Sequence, residues 1–258
     1  MSKYIFKMEC VTNMHVGSGD ANYNIIDNEV QKDVVLTDVP AIHSSGVKGA
    51  LREHFENKSN ISAENINRIF GSKSGESTQG EYKFFSAKLI ARPLRTSEGK
   101  KPYLLATSND ILKDFSDFLE GLGLKEFFSF LEIEIPAEEF FVATSDVSAL
   151  EGLKVTEQSI PSLEKIIGND YAITNTLRYF DLPVMARNKI KDETDGNLWY
   201  EEIVPHKSIF YFVIITPNYE ENLLNFDGEA IQFGGNASIG QGYTKITQVY
   251  PKKEEAIK

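Results

Sequence analysis

The chain has one cysteine, Cys10, among 258 residues. No intramolecular disulfide can form, which points to a reducing cytoplasm. Metal sites of the Cys/His cluster kind are excluded by count. The four histidines (His15, His43, His54 and His206) form no HExxH or similar spacing. No apolar run approaches the ~20 residues that span a bilayer. Charge interrupts residues 1–7 too early for a signal-peptide core. Basic charge is also scarce. The net charge is −11, which argues against a generic nucleic-acid binder. Its distribution leaves room for one: residues 83–113 hold seven Lys/Arg against two acids, and residues 114–170 hold thirteen acids against three Lys. The spread predicts a basic groove and an acidic outer face.

Hydrophobic residues make up 41% of the chain and charged residues 25%, an ordinary globular mixture. The chain can therefore bury a sizeable core, as one large domain or two small ones. Residues 4–11 alternate as a first strand and run into His15-Val16-Gly17-Ser18-Gly19-Asp20. Residues 62–70 and 161–167 read as short helices ended by Gly71 and Gly168. Ser108 or Asn109 caps a helix to about 121. Residues 82–93, 104–107 and 138–142 read as extended, and residues 125–131 fit no element clearly. Residues 181–187 and 198–202 flank a polar tip, and Asp195-Gly196 is a hairpin turn signal. Residues 208–216 form the most apolar strand, predicted to be central.

Two stretches carry candidate chemistry. In residues 25–55 an acid-bearing loop leads through an apolar segment into a Ser44-Ser45-Gly46 turn that opens a helix. Ser44 or Ser45 can cap it, and Val47, Leu51 and Phe55 share its core face. Lys48 and Arg52, four apart, sit beside free N–H groups at the positive end of the helix dipole, a natural phosphate site. An ordinary capped amphipathic helix fits the same spacing. The second stretch, 231–246, is glycine-rich. The residues after Gly242 alternate like a strand, so it is no dinucleotide loop. Its N–H groups suit phosphates, and a purely structural turn fits equally.

The His-x-Gly-x-Gly after the first strand, the Ile-Asp-x-x-Val-Gln-Lys-Asp loop and Pro-x-Ile-x-Ser-Ser-x-x-Lys-Gly-x-Leu-Arg occur in the order of a known family. With Ile239-Gly240-Gln241-Gly242-Tyr243, they resemble RAMP-type proteins of CRISPR effectors. Residues 85–95 and 198–205, with Tyr-Glu-Glu-x-x-Pro, are similar to the Cas7-type backbone subunit of the type III-B (Cmr) complex. The type III-A equivalent shares the N-terminal motifs. Ile42-His43 replaces the usual Pro-Gly, and Lys32 the usual Arg.

The resemblance implies an α+β fold spanning 1–258. Its ferredoxin-like, RRM-like palm has an antiparallel sheet, a helical or irregular insertion at about 57–170, and a β-hairpin thumb at about 183–202. It implies copies stacked helically on guide crRNA beside other subunits of the complex. Complementary target RNA would be kinked by each thumb and cut at regular intervals with a divalent metal, Mg2+ or Mn2+. Asp27 takes the catalytic and metal-holding position. His15, Ser44, Ser45, Lys48, Arg52, Gly234, Gly235, Gly240 and Gly242 take RNA-binding positions, and Met185, Arg187 and Lys189 thumb positions. Asp20, Glu29 and Asp33 are weaker metal or base candidates, and Glu201 and Glu202 brace the thumb. RNA carries its own nucleophile, the 2′-OH, and needs it in line with the scissile bond, which A-form geometry prevents. Without the resemblance Asp27 reads as a solvated loop acid or a cap. Rivals are a catalytically silent scaffold of the same fold and an unrelated hydrolase of small substrates.

Overall fold

The structure is a computed structural model that describes residues 1–19, 26–58, 61–72, 78–128, 135–136, 138–177, 180–191, 195–218 and 228–251. In chain order its elements are β1 (Ser2–Cys10), β2 (Ala41–Ile42), α1 (Ser44–Glu56), α2 (Ala63–Phe70), β3 (Lys83–Phe84), β4 (Ala87–Gly99), β5 (Tyr103–Ser108) and α3 (Asn109–Gly121). The second half adds β6 (Glu139–Val142), β7 (Val147–Leu150), β8 (Leu153–Glu157), α4 (Pro161–Ile167), β9 (Tyr171–Thr174), β10 (Val184–Lys191), β11 (Asp195–Glu202), β12 (Ile209–Thr216), β13 (Ala230–Gln232) and β14 (Tyr243–Tyr250). Asp20, Ile25 and the ends of the stretches at 125–131 and 251–258 lie outside the described residues. No helix among the described residues is long and apolar enough to cross a membrane.

β12 is central because it is apolar on both faces. It lies between β1 and β4, and Phe210, Phe212, Val213 and Ile214 are fully buried. The order β14–β1–β12–β4 is antiparallel throughout. On α1, Val47, Leu51 and Phe55 are buried as their spacing predicts, each stabilising by about 1.5–3 kcal/mol. α3 is capped by Ser108, whose Oγ accepts from the N–H of Ile111. Its Phe115 ring packs 5.4 Å from that of Tyr211 on β12.

The segment at about 57–170, expected to be helical or irregular, holds the helices α2, α3 and α4 and also the strands β3 to β8. β4 is 13 residues long. It leaves β12, pairs with β5, and at its far end pairs with β7. The strands β4–β5–β9–β6–β8–β7 therefore close into a ring. Two of their pairings, β5–β9 and β6–β8, are parallel, so the antiparallel sheet expected from sequence describes only the first part. The missed β7–β8 hairpin carried its own signal. Glu151 and Gly152 both have positive φ and join Leu150 to Leu153, its partner across the ladder, a two-residue turn that favours glycine.

Six of the seven cations behind the basic groove predicted at residues 83–113 are claimed by partners. Lys88 pairs with Asp33 and Asp114. Arg95, Lys100, Lys101 and Lys113 meet Glu151, Asp146, Asp170 and Asp117. Arg92 is buried and donates to the carbonyls of Leu177, Phe180 and Asp181. Burial lowers its pKa to about 10, and the three acceptors fasten the approach to the β10–β11 hairpin. Cationic and acidic stretches separated in sequence are thus brought together as partners.

Candidate active site and nucleic-acid interface

The two-stranded β10–β11 hairpin is paired from Val184↔Glu202 to Lys191↔Asp195. Asp195 and Gly196, read as the turn, lie inside β11, and the connecting residues 192–194 are outside the described residues. Alternation divides the hairpin into two faces. Met185, Arg187, Trp199 and Glu201 share one; Val184, Ala186, Leu198, Tyr200 and Glu202 share the other. Met185 is exposed, whereas Arg187 is half-buried, with Nε 3.6 Å from Glu201 Oε2. The backbone of Lys189 pairs with Asn197.

Asp27 sits at the root of this hairpin. The N–H groups of Asp27 and Asn28 both donate to the Tyr200 carbonyl at 3.1 Å. The N–H of Tyr200 donates to Asp27 Oδ2 at 2.8 Å. The Glu202 N–H donates to the Asn28 carbonyl at 2.9 Å. Asp27, read from sequence as a flexible-loop residue, is held by the backbone of β11, with its side chain exposed. On its other side the loop is fastened to residues 16–18: Gln31 N–H donates to the Val16 carbonyl and Ser18 N–H to the Glu29 carbonyl.

The same loop ends on α1. His43 N–H donates to Gln31 Oε1 at 2.9 Å, and the His43 ring bonds the Lys32 carbonyl at 3.1 Å. His43, not Ser44 or Ser45, is the N-cap of α1, and its side chain makes no capping bond. Ser44 N–H instead donates to Ser86 Oγ, and Ser44 and Ser45 are both exposed. Lys48 meets no acidic partner among the described residues. Arg52 is committed: Nε bonds Glu56 Oε1 at 2.8 Å and NH1 the Gly71 carbonyl at 3.0 Å. The free cation pair expected at the helix start is therefore one cation, Lys48.

His15 is 8% exposed, and its Nδ1 lies 2.7 Å from the Glu202 carbonyl. Its own carbonyl accepts from Gly235 N–H at 2.9 Å. That makes it a brace between hairpin and glycine loop. The glycine loop also turns inward. Gly240 N–H donates to Ala237 and Gly242 N–H to Asn13, so with Gly235 these amides are not laid out for phosphates. Gly234 and Gly242 both have positive φ. A Cβ on Gly234 would lie 2.2 Å from the His15 carbonyl oxygen, and one on Gly242 2.0 Å from that of Phe233. Glycine is required there for close backbone approach.

A model of the RAMP superfamily matches residues 7–245. The chain belongs to the RAMP superfamily. It is 27% identical to the CRISPR system Cmr endoribonuclease Cmr4 of Pyrococcus furiosus, covering 96% of both chains. It is 22% identical to the CRISPR system CMR subunit Cmr4 of Saccharolobus solfataricus, covering 93% of this chain and 94% of that one. Its fold matches a chain in the cryo-EM structure of type III-B Cmr-beta bound to cognate target RNA, with TM-score 0.79 and 21% identity over 96% of this chain and 98% of that one. It also matches oligomeric Cmr4 from Pyrococcus furiosus, with TM-score 0.70 and 23% identity over 96% and 99%.

For a RAMP protein expected to use Mg2+ or Mn2+, the donor set is thin. Among the described residues no three His, Cys, Asp or Glu side chains are grouped to share an ion. Asp27 is one carboxylate, and one of its oxygens already accepts from Tyr200. The weaker candidates are occupied too. Asp33 accepts from Val35, Leu36 and Lys88, and Glu29 faces Lys32 at 3.8 Å. These residues do not build a metal site by themselves.

Proposed function

We propose that this chain is a backbone subunit of a type III-B CRISPR effector that holds guide crRNA and cuts complementary target RNA. Copies of itself and other Cmr subunits would be its partners. We read β14–β1–β12–β4 as a ferredoxin-like palm, because the order and alternation of strands are those of that fold. We read β10–β11 as the thumb. The observation that carries the reading is the placement of Asp27. Its backbone is fastened to Tyr200, its carboxylate is exposed, and its loop runs on to the start of α1. A carboxylate for the target and a cation for the guide are thereby set on one continuous support.

The residues then divide the work. Lys48 and the exposed first turn of α1 contact guide phosphates without reading bases, which suits a guide whose sequence varies. On the hairpin, Val184, Tyr200 and Leu198 are exposed on one face. Apolar side chains inserted between stacked bases unstack them and kink the duplex. The kink brings a target 2′-OH into line with its neighbouring phosphorus, and Asp27 accepts the hydroxyl proton. The O2′–P bond forms, the P–O5′ bond breaks, the leaving oxygen takes a proton from water, and Asp27 returns its proton to the hydroxide left behind. A positioned base contributes about 10²–10⁴-fold.

The test is Asp27→Asn in the assembled ribonucleoprotein. Cutting of complementary RNA should fall by at least about 100-fold, with target affinity and assembly unchanged. Undiminished cutting would refute a catalytic role for Asp27 and favour a silent scaffold. Cutting of free RNA by the isolated chain, without a guide, would favour an unrelated hydrolase.

A further inference from the structure

Two adjacent glutamates, Glu201 and Glu202, are both buried at the end of β11. Successive strand residues face opposite ways, and these two grip different loops. Glu201 Oε1 accepts from Trp199 Nε1 at 2.8 Å. Its Oε2 accepts from Asn236 Nδ2 at 3.1 Å. Asn236 is left-handed, with φ 63°, and its Nδ2 also donates to Gln241 Oε1. Glu201 therefore ties the hairpin to the glycine loop. Glu202 Oε2 accepts from Val30 N–H at 3.1 Å, and its Oε1 lies 3.4 Å from Lys32 Nζ. Its backbone is engaged as well, with N–H to Asn28 and carbonyl to His15. The side chain thus closes the far side of the 27–32 loop.

We propose that Glu202 is a positioning residue for target cutting. Its carboxylate, bonded to the Val30 N–H, fixes the distance between the Asp27 loop and the hairpin. The inference rests on the function proposed above. Asp27 is pinned by bonds at 27–28, and the loop is fastened again at Glu29 and Gln31, on the side of residues 16–18. Between these attachments the Val30 N–H is held by the Glu202 carboxylate, which ties the middle of the loop to the same strand that grips Asp27. Displacement of a reacting group by about 1 Å can cost as much as 10²-fold in rate. The Lys32 ion pair adds little, because Lys32 is 30% exposed. What matters is the reach of the side chain rather than its charge.

That distinction sets the experiment. Glu202→Asp, Glu202→Gln and Asp27→Asn are assembled into complexes with guide RNA, and single-turnover cutting, cut positions and target affinity are measured. Asp keeps the charge but falls one methylene short of Val30. Gln loses the charge but keeps an acceptor at full reach. The expected order is a loss of about 10-fold for Glu202→Asp, with cuts spread to neighbouring phosphates, and recovery to within about 3-fold for Glu202→Gln. Target affinity and complex yield should match the parent in both. The proposal is overturned if Glu202→Asp cuts as well as the parent, if Gln is no better than Asp, or if rate falls only in step with affinity or yield. Full activity in Asp27→Asn would instead sink the functional reading itself, which keeps the two failures apart.

Discussion

The loop at 26–33 and the glycine loop at 233–242 lean on the same ridge, formed by His15 and the root of the hairpin, and do so in opposite senses. The first bonds through its backbone and leaves the Asp27 side chain exposed. The second turns the amides of Gly235, Gly240 and Gly242 onto His15, Ala237 and Asn13. Glycine content alone suggested a phosphate cradle. A glycine placed for φ and close approach is a different thing from a glycine placed for a ligand. On the function proposed above, the first loop carries the chemistry and the second scaffolds it.

The strongest way to break that assignment is to add a methyl group to the glycine loop. In Gly242→Ala the new Cβ lies 2.0 Å from a backbone oxygen at positive φ. Folded stability should fall by about 3 kcal/mol or more, read as a lower urea midpoint for the purified chain. Gly240→Ala also has positive φ, but no atom lies within 4 Å of the added Cβ. It should cost about 1–2 kcal/mol. Equal losses would show that backbone approach is not what the loop provides. RNA affinity lost with stability intact would return the loop to the ligand side.

Local signals made much of this legible. The 3.6-residue spacing of Val47, Leu51 and Phe55 gave the buried face of α1, and Ser108 gave the start of α3. The unbroken apolar run 209–216 gave the central strand. What stayed hidden depends on partners distant in sequence. Nothing near Arg52 announces that the Gly71 carbonyl will claim it, and nothing near Lys88 announces Asp33. The backbone grip on Asp27 comes from Tyr200, 173 residues away, and backbone bonds leave no trace in residue type. The closure of the ring went unread because β7, β8 and β9 are only four or five residues each, too short for periodicity to declare.

Within α1 the same contrast recurs on a smaller scale. Lys48 and Arg52 share a helix face, yet one is unclaimed by any acid among the described residues and the other braces α1 against Gly71. Arg52→Ala should lower stability by about 1 kcal/mol and leave guide affinity nearly unchanged. Lys48→Ala should leave stability unchanged. It should weaken guide binding evenly across guide sequences and reduce the slope of log affinity against log salt by about one. Filter binding at several salt concentrations separates the two, and a sequence-dependent loss from Lys48→Ala would contradict a pure phosphate contact.

The smallest expected effect probes how the glycine loop is entered. Glu229, just before β13, accepts from Lys58 Nζ at 2.6 Å and lies 2.7 Å from His54 Nε2. It ties the strand that leads into the loop to the end of α1. Burial alone would raise its pKa, but the hydrogen bonds and charges of Lys58 and His54 outweigh that and hold the carboxyl below its usual value. A carboxyl depressed in the fold stabilises above its unfolded pKa, about 4.3, and loses that contribution as pH falls through the folded value. Unfolding free energy should therefore decline as pH drops below about 4.3, and Glu229→Gln should flatten that part of the curve. The change will be slight, because the Glu229 side chain is 35% exposed and solvent screens the pair. A Glu229→Gln curve parallel to the parent's would mean that this tie carries no weight.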